Sequence, residues 1–321
     1  MNNGKVIERS LGIDTITEAV RRMVAGDVET GLALYETYLQ VPDLPRPPVG
    51  LHATFLEKAG QGQAAVALVA MGVKCGADVA IKAGDQRTDP LKAAQEYEDL
   101  FERGLVNAWM VQSYALALTR LGRGDEVGRL FNQSGLLRIV QLKQDDLADS
   151  AAQLLLQHET NGVWQDAVQS VRKMTKVRRV HELPEAYRLV AALECEATRY
   201  LEDWRTSTHC FASLIPEAFE VRAWGLISRG DGFNARHVHP VGWATGVYYP
   251  AGLSSEGARG ALQIGRPEFV PQAAKGWPEA TIRPEKGLLV LMPSFYTHWT
   301  EPLGEAALRL SIAFDLVPLD K

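Results

Sequence analysis

Three histidines in the C-terminal third of the chain could do chemistry together. His237 and His239 stand two apart in His-Val-His-Pro, and His298 comes in a later apolar run. In an extended strand successive side chains alternate, so His237 and His239 face the same way. Neutral imidazole is the commonest metal ligand, and a third imidazole would complete one face of an octahedral ion. Open positions beside such ligands suit Fe(II) and oxygen chemistry better than a closed structural site. A neutral three-imidazole face is also compatible with Zn, Ni or Cu. Downstream, Arg309 and Ser311 stand two apart in a run that reads as a strand, and so share a side. Arginine presents a planar fork that grips a carboxylate through two hydrogen bonds. Turned inward without an anion it would be a costly buried charge. A metal face with a carboxylate clamp is what an enzyme using a dicarboxylate co-substrate requires.

The elements that must position these residues change character along the chain. From about Thr15 to Trp204 apolar residues recur at three- and four-residue steps, as in Ala108, Val111, Tyr114, Ala115 and Leu118, which predicts helices. From about Glu220 the runs are short, β-branched or aromatic, and bounded by turn residues, which predicts strands of a sandwich or jelly roll. The boundary falls between Leu201 and Pro216, giving a helical domain over 1–205 and a sheet domain over 206–321. Within the helical part, Gly26-Asp-Val-Glu and Gly60-Gln-Gly-Gln look like turns that each open a second helix. Similar turns recur at Gly122-Arg-Gly-Asp and Asn161-Gly-Val-Trp, in irregular register. The pattern resembles degenerate tetratricopeptide hairpins, which stack because one alone cannot bury its apolar face; an ordinary helical domain fits as well. Asp43 to Gly50 reads as a rigid Pro-rich connection, and Asp89-Pro90 as the start of a helix. Gly230-Asp-Gly-Phe reads as a hairpin-like turn before the histidine pair.

Bulk properties narrow the function classes. A chain of 321 residues with net charge −5 and no long basic run lacks the electrostatic footprint of a nucleic-acid binder. The N-terminus has no apolar signal-peptide core, and runs such as Ala64–Val73 are too short to span a bilayer. Cys75, Cys195 and Cys210 are few, scattered and odd in number, which predicts buried thiols in a reducing cytoplasm. Phosphate-loop, nucleophile-elbow and His-Glu-x-x-His motifs are absent.

His237-Val-His-Pro-Val-Gly-Trp-Ala-Thr-Gly-Val-Tyr-Tyr, then Gly287-Leu-Leu-Val-Leu-Met-Pro-Ser-Phe-Tyr-Thr-His298, then Arg309-Leu-Ser-Ile-Ala-Phe-Asp, resembles the 2-oxoglutarate and Fe(II)-dependent oxygenases. The nearest resemblance is to a bacterial branch that often follows tetratricopeptide-like repeats, and it covers about residues 220–318. It implies an α+β chain: an N-terminal α-helical, tetratricopeptide-like domain followed by a C-terminal double-stranded β-helix, or jelly roll. It implies Fe(II) as the metal and 2-oxoglutarate as co-substrate, with His237 and His298 as ligands and Arg309, with Ser311, as the clamp. No catalytic side chain beyond the metal centre is implied.

Most of that superfamily carries Asp or Glu where this chain has His239. His239 then either ligates the metal as a third imidazole, stands behind it while water or halide binds, or merely packs beside the site. Of the two tyrosines after the histidine pair, a regular strand turns only one inward, and Tyr249 is the candidate to meet the co-substrate. Trp243 and Trp299 flank the ligands and could shape a substrate pocket or, as large apolar residues, simply pack. Ser294 and Thr297 belong to the turn that delivers His298, and His52, His158, His181 and His209 read as ordinary residues. The reaction implied is oxidation, most simply hydroxylation, of a small-molecule or polypeptide substrate with release of succinate and CO2. Neither nucleic acid nor membrane is an expected partner, and the helical domain is a candidate homodimer surface. The rival reading is a helical-repeat interaction protein whose cupin-like jelly roll binds a metal or ligand without turnover.

Overall fold

The computed structural model describes residues 27–40, 89–104, 106–168, 171–253, 259–268, 270–304 and 307–319, with isolated positions between 15 and 64. The chain forms two compact units, 1–81 and 82–321. In the first, helix α1 (Val28–Gln40) follows Asp27, and Tyr35 stacks on Phe55 with ring centroids 4.0 Å apart. Gly26 and the Pro-rich connection at 43–50 lie outside the described residues, and so does most of the 64–73 run.

In the second unit a helix starts, as expected, at Asp89-Pro90. The Asp89 carboxylate accepts from Lys92 N, and proline occupies the first turn of α2 (Pro90–Glu102), where its missing N–H costs nothing. Asn107 caps α3 (Ala108–Arg120) in the same way. Gly122, at φ +72°, then turns the chain into α4 (Gly124–Phe131), and the short α5 (Gln133–Leu136) follows. Helices α6 (Asp145–His158) and α7 (Tyr187–Arg205) complete the helical elements of eight or more residues described in this unit. Among the described residues no helix is long and apolar enough to cross a membrane.

Between these helices lie three strands that periodicity had assigned to helix: β1 (Arg138–Gln141), β2 (Val163–Val168) and β3 (Val171–Val177). The turn at Asn161–Trp164 therefore opens a β-hairpin, not a repeat helix. Such short strands, partly exposed and built of mixed polar and apolar residues, carry little apolar signal to separate them from a helix face. The remaining strands are β4 (Phe219–Asn234), β5 (Ala244–Tyr249), β6 (Leu262–Ile264), β7 (Ala280–Ile282), β8 (Leu288–Pro293), β9 (His298–Thr300) and β10 (Leu308–Pro318).

They form a seven-stranded sheet in the order β1-β8-β5-β10-β4-β3-β2 and a three-stranded sheet in the order β7-β6-β9, with antiparallel pairing throughout. The architecture is thus mixed helix and sheet around a large antiparallel sheet. The seven-stranded sheet draws strands from both sides of the 205/206 boundary.

Period-two alternation sorts the large sheet's two faces. Leu310, Ile312, Phe314 and Leu316 of β10, with Ala223 and Ile227 of β4, join one apolar core with Leu154 and Leu155 of α6 and Leu193 and Tyr200 of α7. Gly225 lets α6 approach, because a side chain there would occupy the place of Leu155. On the other face β10 presents Arg309, Ser311, Ala313 and Asp315 to a cavity.

Gly230-Asp-Gly is not a hairpin turn. It lies inside β4, where Arg229–Gly232 stand opposite the single residue Lys173 of β3. This enlarged bulge uses positive φ at Gly230 (+58°) and Lys173 (+49°), and an Asp231–Lys173 ion pair of 2.7 Å closes it. Bulges bend the strand that carries the extra residues. Here the bend precedes the segment that carries the histidine pair.

Candidate metal centre

His237 and His239 do not lie on a regular strand. They occupy an irregular segment after β4 whose backbone is clipped at both ends. His237 exchanges N–H···O bonds of 3.1 and 3.0 Å with His298, and His239 N donates to Ser294 O at 2.9 Å. The turn after β8 supplies Ser294, and β9 begins at His298, so one turn fixes both the pair and its distant partner. Ser294 and Thr297 act through their backbones, Thr297 O accepting from Gly265 N at 3.0 Å.

The helices hold this turn from the other side. The Gln112 side chain of α3 donates to Phe295 O, and the Tyr296 hydroxyl donates to Phe131 O at the end of α4.

The three imidazoles converge. Ligand atoms of His237, His239 and His298 all lie within 4.8 Å of one another. Each Nδ1 faces an oxygen: Ala235 O at 2.7 Å for His237, Tyr296 O at 2.9 Å for His298, and Asp315 Oδ1 at 2.6 Å for His239. A backbone carbonyl or a carboxylate can only accept, so each Nδ1 carries a proton, and a neutral ring of that tautomer keeps its lone pair on Nε2. His239 Nε2 is buried with no hydrogen-bond partner, a costly state for a polar atom that a metal ion would relieve. The donor set fits a metal held by three neutral nitrogens.

Burial, with the neighbouring imidazole His239, pushes the His237 pKa down to about 3, and burial likewise holds His298 well below its ordinary value. Both are therefore neutral and competent to ligate at neutral pH. A histidine whose folded pKa is depressed contributes stability that is complete above the unfolded value of about 6.5 and lost as pH falls below it. For the metal-free chain, urea midpoints should hold steady from pH 8 to 7 and fall progressively from pH 6.5 downward. A midpoint flat to pH 4 would show that the imidazoles are not desolvated.

The cavity beside the histidines has a volume of about 350 Å³ and receives side chains from both sheets. Arg309 lines it at 1 % exposure, donating from Nη1 to Gly260 O and from Nη2 to Ser228 Oγ, both at 3.1 Å. Both partners are neutral, and among the described residues no carboxylate pairs with this guanidinium. Burial lowers its pKa. Ser311 lines the same cavity one pleat along β10, as the spacing predicts.

Tyr249 also lines it, with its phenol pushed up to about 12 by burial and partly offset by Arg309. Tyr248 points to the opposite face, where the acidic residues of α6, Asp149 foremost, are its charged neighbours. Of the two tyrosines, Tyr249 is the one that lines the cavity.

Of the two readings for the tryptophans, packing is the one observed. Trp243 packs against Trp204 of α7, and Trp299 lies under the Arg236 guanidinium at 3.4 Å. The indole in the cavity is Trp224, stacked on His239 with 13° between planes and approached by Lys176 Nζ at 4.7 Å from its centroid. Sequence reading also missed Asp315 and Thr245, although Asp315 continues the 309, 311, 313 alternation. Cys195 and Cys210 are exposed, not buried, because they fall on the outer side of α7 and on the loop after it. His209 is an ordinary core histidine whose Nε2 donates to Leu130 O at 2.8 Å.

A layered antiparallel fold with three convergent imidazoles and a buried arginine in one cavity defines a metal-dependent enzyme class. Residues 222–315, just under a third of the chain, match the family described as "Putative 2OG-Fe(II) oxygenase". The match runs from β4 to β10 and so contains all three histidines, Arg309 and Ser311.

Among solved structures, a Pseudomonas putida prolyl-4-hydroxylase is 13% identical over 60% of this chain and 99% of its own, with a TM-score of 0.43. The non-heme α-ketoglutarate-dependent epimerase SnoN from nogalamycin biosynthesis is 16% identical over 62% of this chain and 81% of its own, with a TM-score of 0.43. HygX from Streptomyces hygroscopicus, solved with nickel and 2-oxoglutarate, is 10% identical over 58% of this chain and 85% of its own, with a TM-score of 0.40. No curated protein matches the chain. The assignment rests on the family match and the site, not on these distant likenesses.

Proposed function

We propose that the chain is a non-haem Fe(II)- and 2-oxoglutarate-dependent dioxygenase that hydroxylates a small-molecule or polypeptide substrate, releasing succinate and CO2. His237, His239 and His298 hold the metal through Nε2. Arg309 and Ser311 bind the far carboxylate of 2-oxoglutarate, and Tyr249 borders it. Iron with 2-oxoglutarate supplies the oxidising chemistry when bound. The protein's own contribution is to fix the imidazole tautomers, orient the co-substrate and keep water out of a largely buried site.

One observation carries this reading: a guanidinium buried without an anion among the described residues, in the same cavity as an imidazole nitrogen that none of them hydrogen-bonds. A dicarboxylate that also reaches a metal answers both needs at once.

Anaerobic addition of Fe(II) and 2-oxoglutarate should produce a weak visible charge-transfer band, and admission of O2 should yield succinate. Metal uptake with neither signal would leave a non-catalytic, cupin-like binding protein instead.

The same reading extends to the rest of the chain. The two sheets are the halves of a jelly roll, and oxygenase-type sequence begins at 206, after a part over 1–205 that combines tetratricopeptide-like helices with strands β1–β3. The chain works in the cytoplasm, and its helical part pairs two copies. Limited proteolysis and sedimentation velocity test the last two structural points.

A further inference from the structure

The three imidazoles are not equivalent at their outward nitrogens. His237 and His298 donate from Nδ1 to backbone carbonyls, which are neutral, whereas His239 donates to the Asp315 carboxylate. That bond is the shortest of the three, at 2.6 Å, and both partners are largely removed from water, with side chains 9 % and 14 % exposed. Thr245 Oγ1 lies 3.3 Å from the same Nδ1 while donating its own proton to Phe314 O at 3.0 Å, so it too can only accept there. Two acceptors converging on one nitrogen leave His239 a single tautomer. Trp224, stacked nearly parallel to the ring, limits its rotation.

Charge makes the asymmetry significant. Among the described residues lining the cavity, Arg309 and Lys176 are the cations and Asp315 is the sole carboxylate. A divalent metal on three neutral nitrogens would add further positive charge. The one negative side chain is not spent on Arg309 but placed behind one ligand. A carboxylate hydrogen-bonded to a ligating imidazole orients the ring and raises its basicity.

We infer that Asp315 is a positioning residue that acts through His239, holding it in the Nδ1–H tautomer, aiming Nε2 at the metal and making it the strongest donor of the three imidazoles. The inference rests on the reading of His239 as a ligand. It answers how a site without a carboxylate ligand obtains negative charge, which is delivered one imidazole further out.

Anaerobic Co(II) titration of the full chain against a chromophoric chelator tests it, alongside long-range 1H–15N spectra of the metal-free histidine rings. Asp315→Asn retains an acceptor oxygen but loses the charge, and should weaken Co(II) binding about 10- to 100-fold with the thermal midpoint of the metal-free chain unchanged. Asp315→Ala should add a shift of the His239 ring signals toward mixed tautomers while His237 and His298 keep theirs.

Co(II) affinity of Asp315→Asn within about twofold of wild type would overturn the inference. Equal disturbance of all three rings in Asp315→Ala would do so as well, since it would mark a packing role. A wild-type chain that takes up no Co(II) would remove the metal reading itself, a failure distinct from an Asp315→Asn chain that binds as wild type does.

Discussion

Arg309→Met is expected to abolish useful 2-oxoglutarate binding while leaving metal affinity nearly intact. Truncating one partner of a buried, hydrogen-bonded charge pair costs about 2–5 kcal/mol, a loss of roughly 30-fold to several thousandfold. Arg309 and the histidines are separate groups in one cavity, so metal binding should not follow co-substrate binding down. The free chain should respond in the opposite sense. Among the described residues its guanidinium is held by Gly260 O and Ser228 Oγ and by no anion, and a buried charge so poorly compensated opposes folding. Arg309→Met should therefore leave the thermal midpoint of the metal-free protein unchanged or raise it. Isothermal titration with 2-oxoglutarate on Co(II)-loaded protein and differential scanning calorimetry without metal separate the two effects. Parallel loss of metal, co-substrate and midpoint would show that Arg309 is structural.

His298→Ala should have the largest effect on metal retention. Removing a group that only orients a ligand already costs about 10- to 100-fold in affinity, so deleting the ligand itself should exceed about 100-fold. His298 also begins β9, but its two hydrogen bonds to His237 are backbone bonds and survive the substitution. The clip that presents His237 should thus persist. The metal-free variant should keep its far-ultraviolet circular dichroism and lose Co(II) uptake. A variant that still binds Co(II) within tenfold of wild type would remove His298 from the site.

How much of this was visible beforehand follows from range. Arg309, Ser311 and Tyr249 announce themselves because each lies on a strand where alternation decides direction; His237 and His239 stand out by type and spacing but sit on an irregular segment, and all five line one cavity. Asp315 was within reach of the same argument, two pleats beyond Ser311. Trp224 and Lys176 were not, because they reach the cavity through the registers Trp224↔Ala313 and Lys176↔Leu226, which tie together strands distant in sequence.

The helical reading of residues 138–177 failed for a related reason. β1 and β2 are the edge strands, β1 alternating half-buried and exposed residues, and no local apolar run marks them. The bulge at Gly230 was mistaken for a hairpin because two glycines flanking an aspartate signal a reversal equally well. Only the partner Lys173, far back in the chain, makes the difference.

The grip of the helices on the turn before His298 has a consequence for signalling. Gln112 and the Phe131 carbonyl each hold one residue of that turn, and the turn's own backbone holds His239. Any event that shifts α3 or α4 would be transmitted through a few rigid bonds to the spacing of two imidazoles. The colour of a bound cobalt ion would then serve as a gauge of the helical layer, read without touching it.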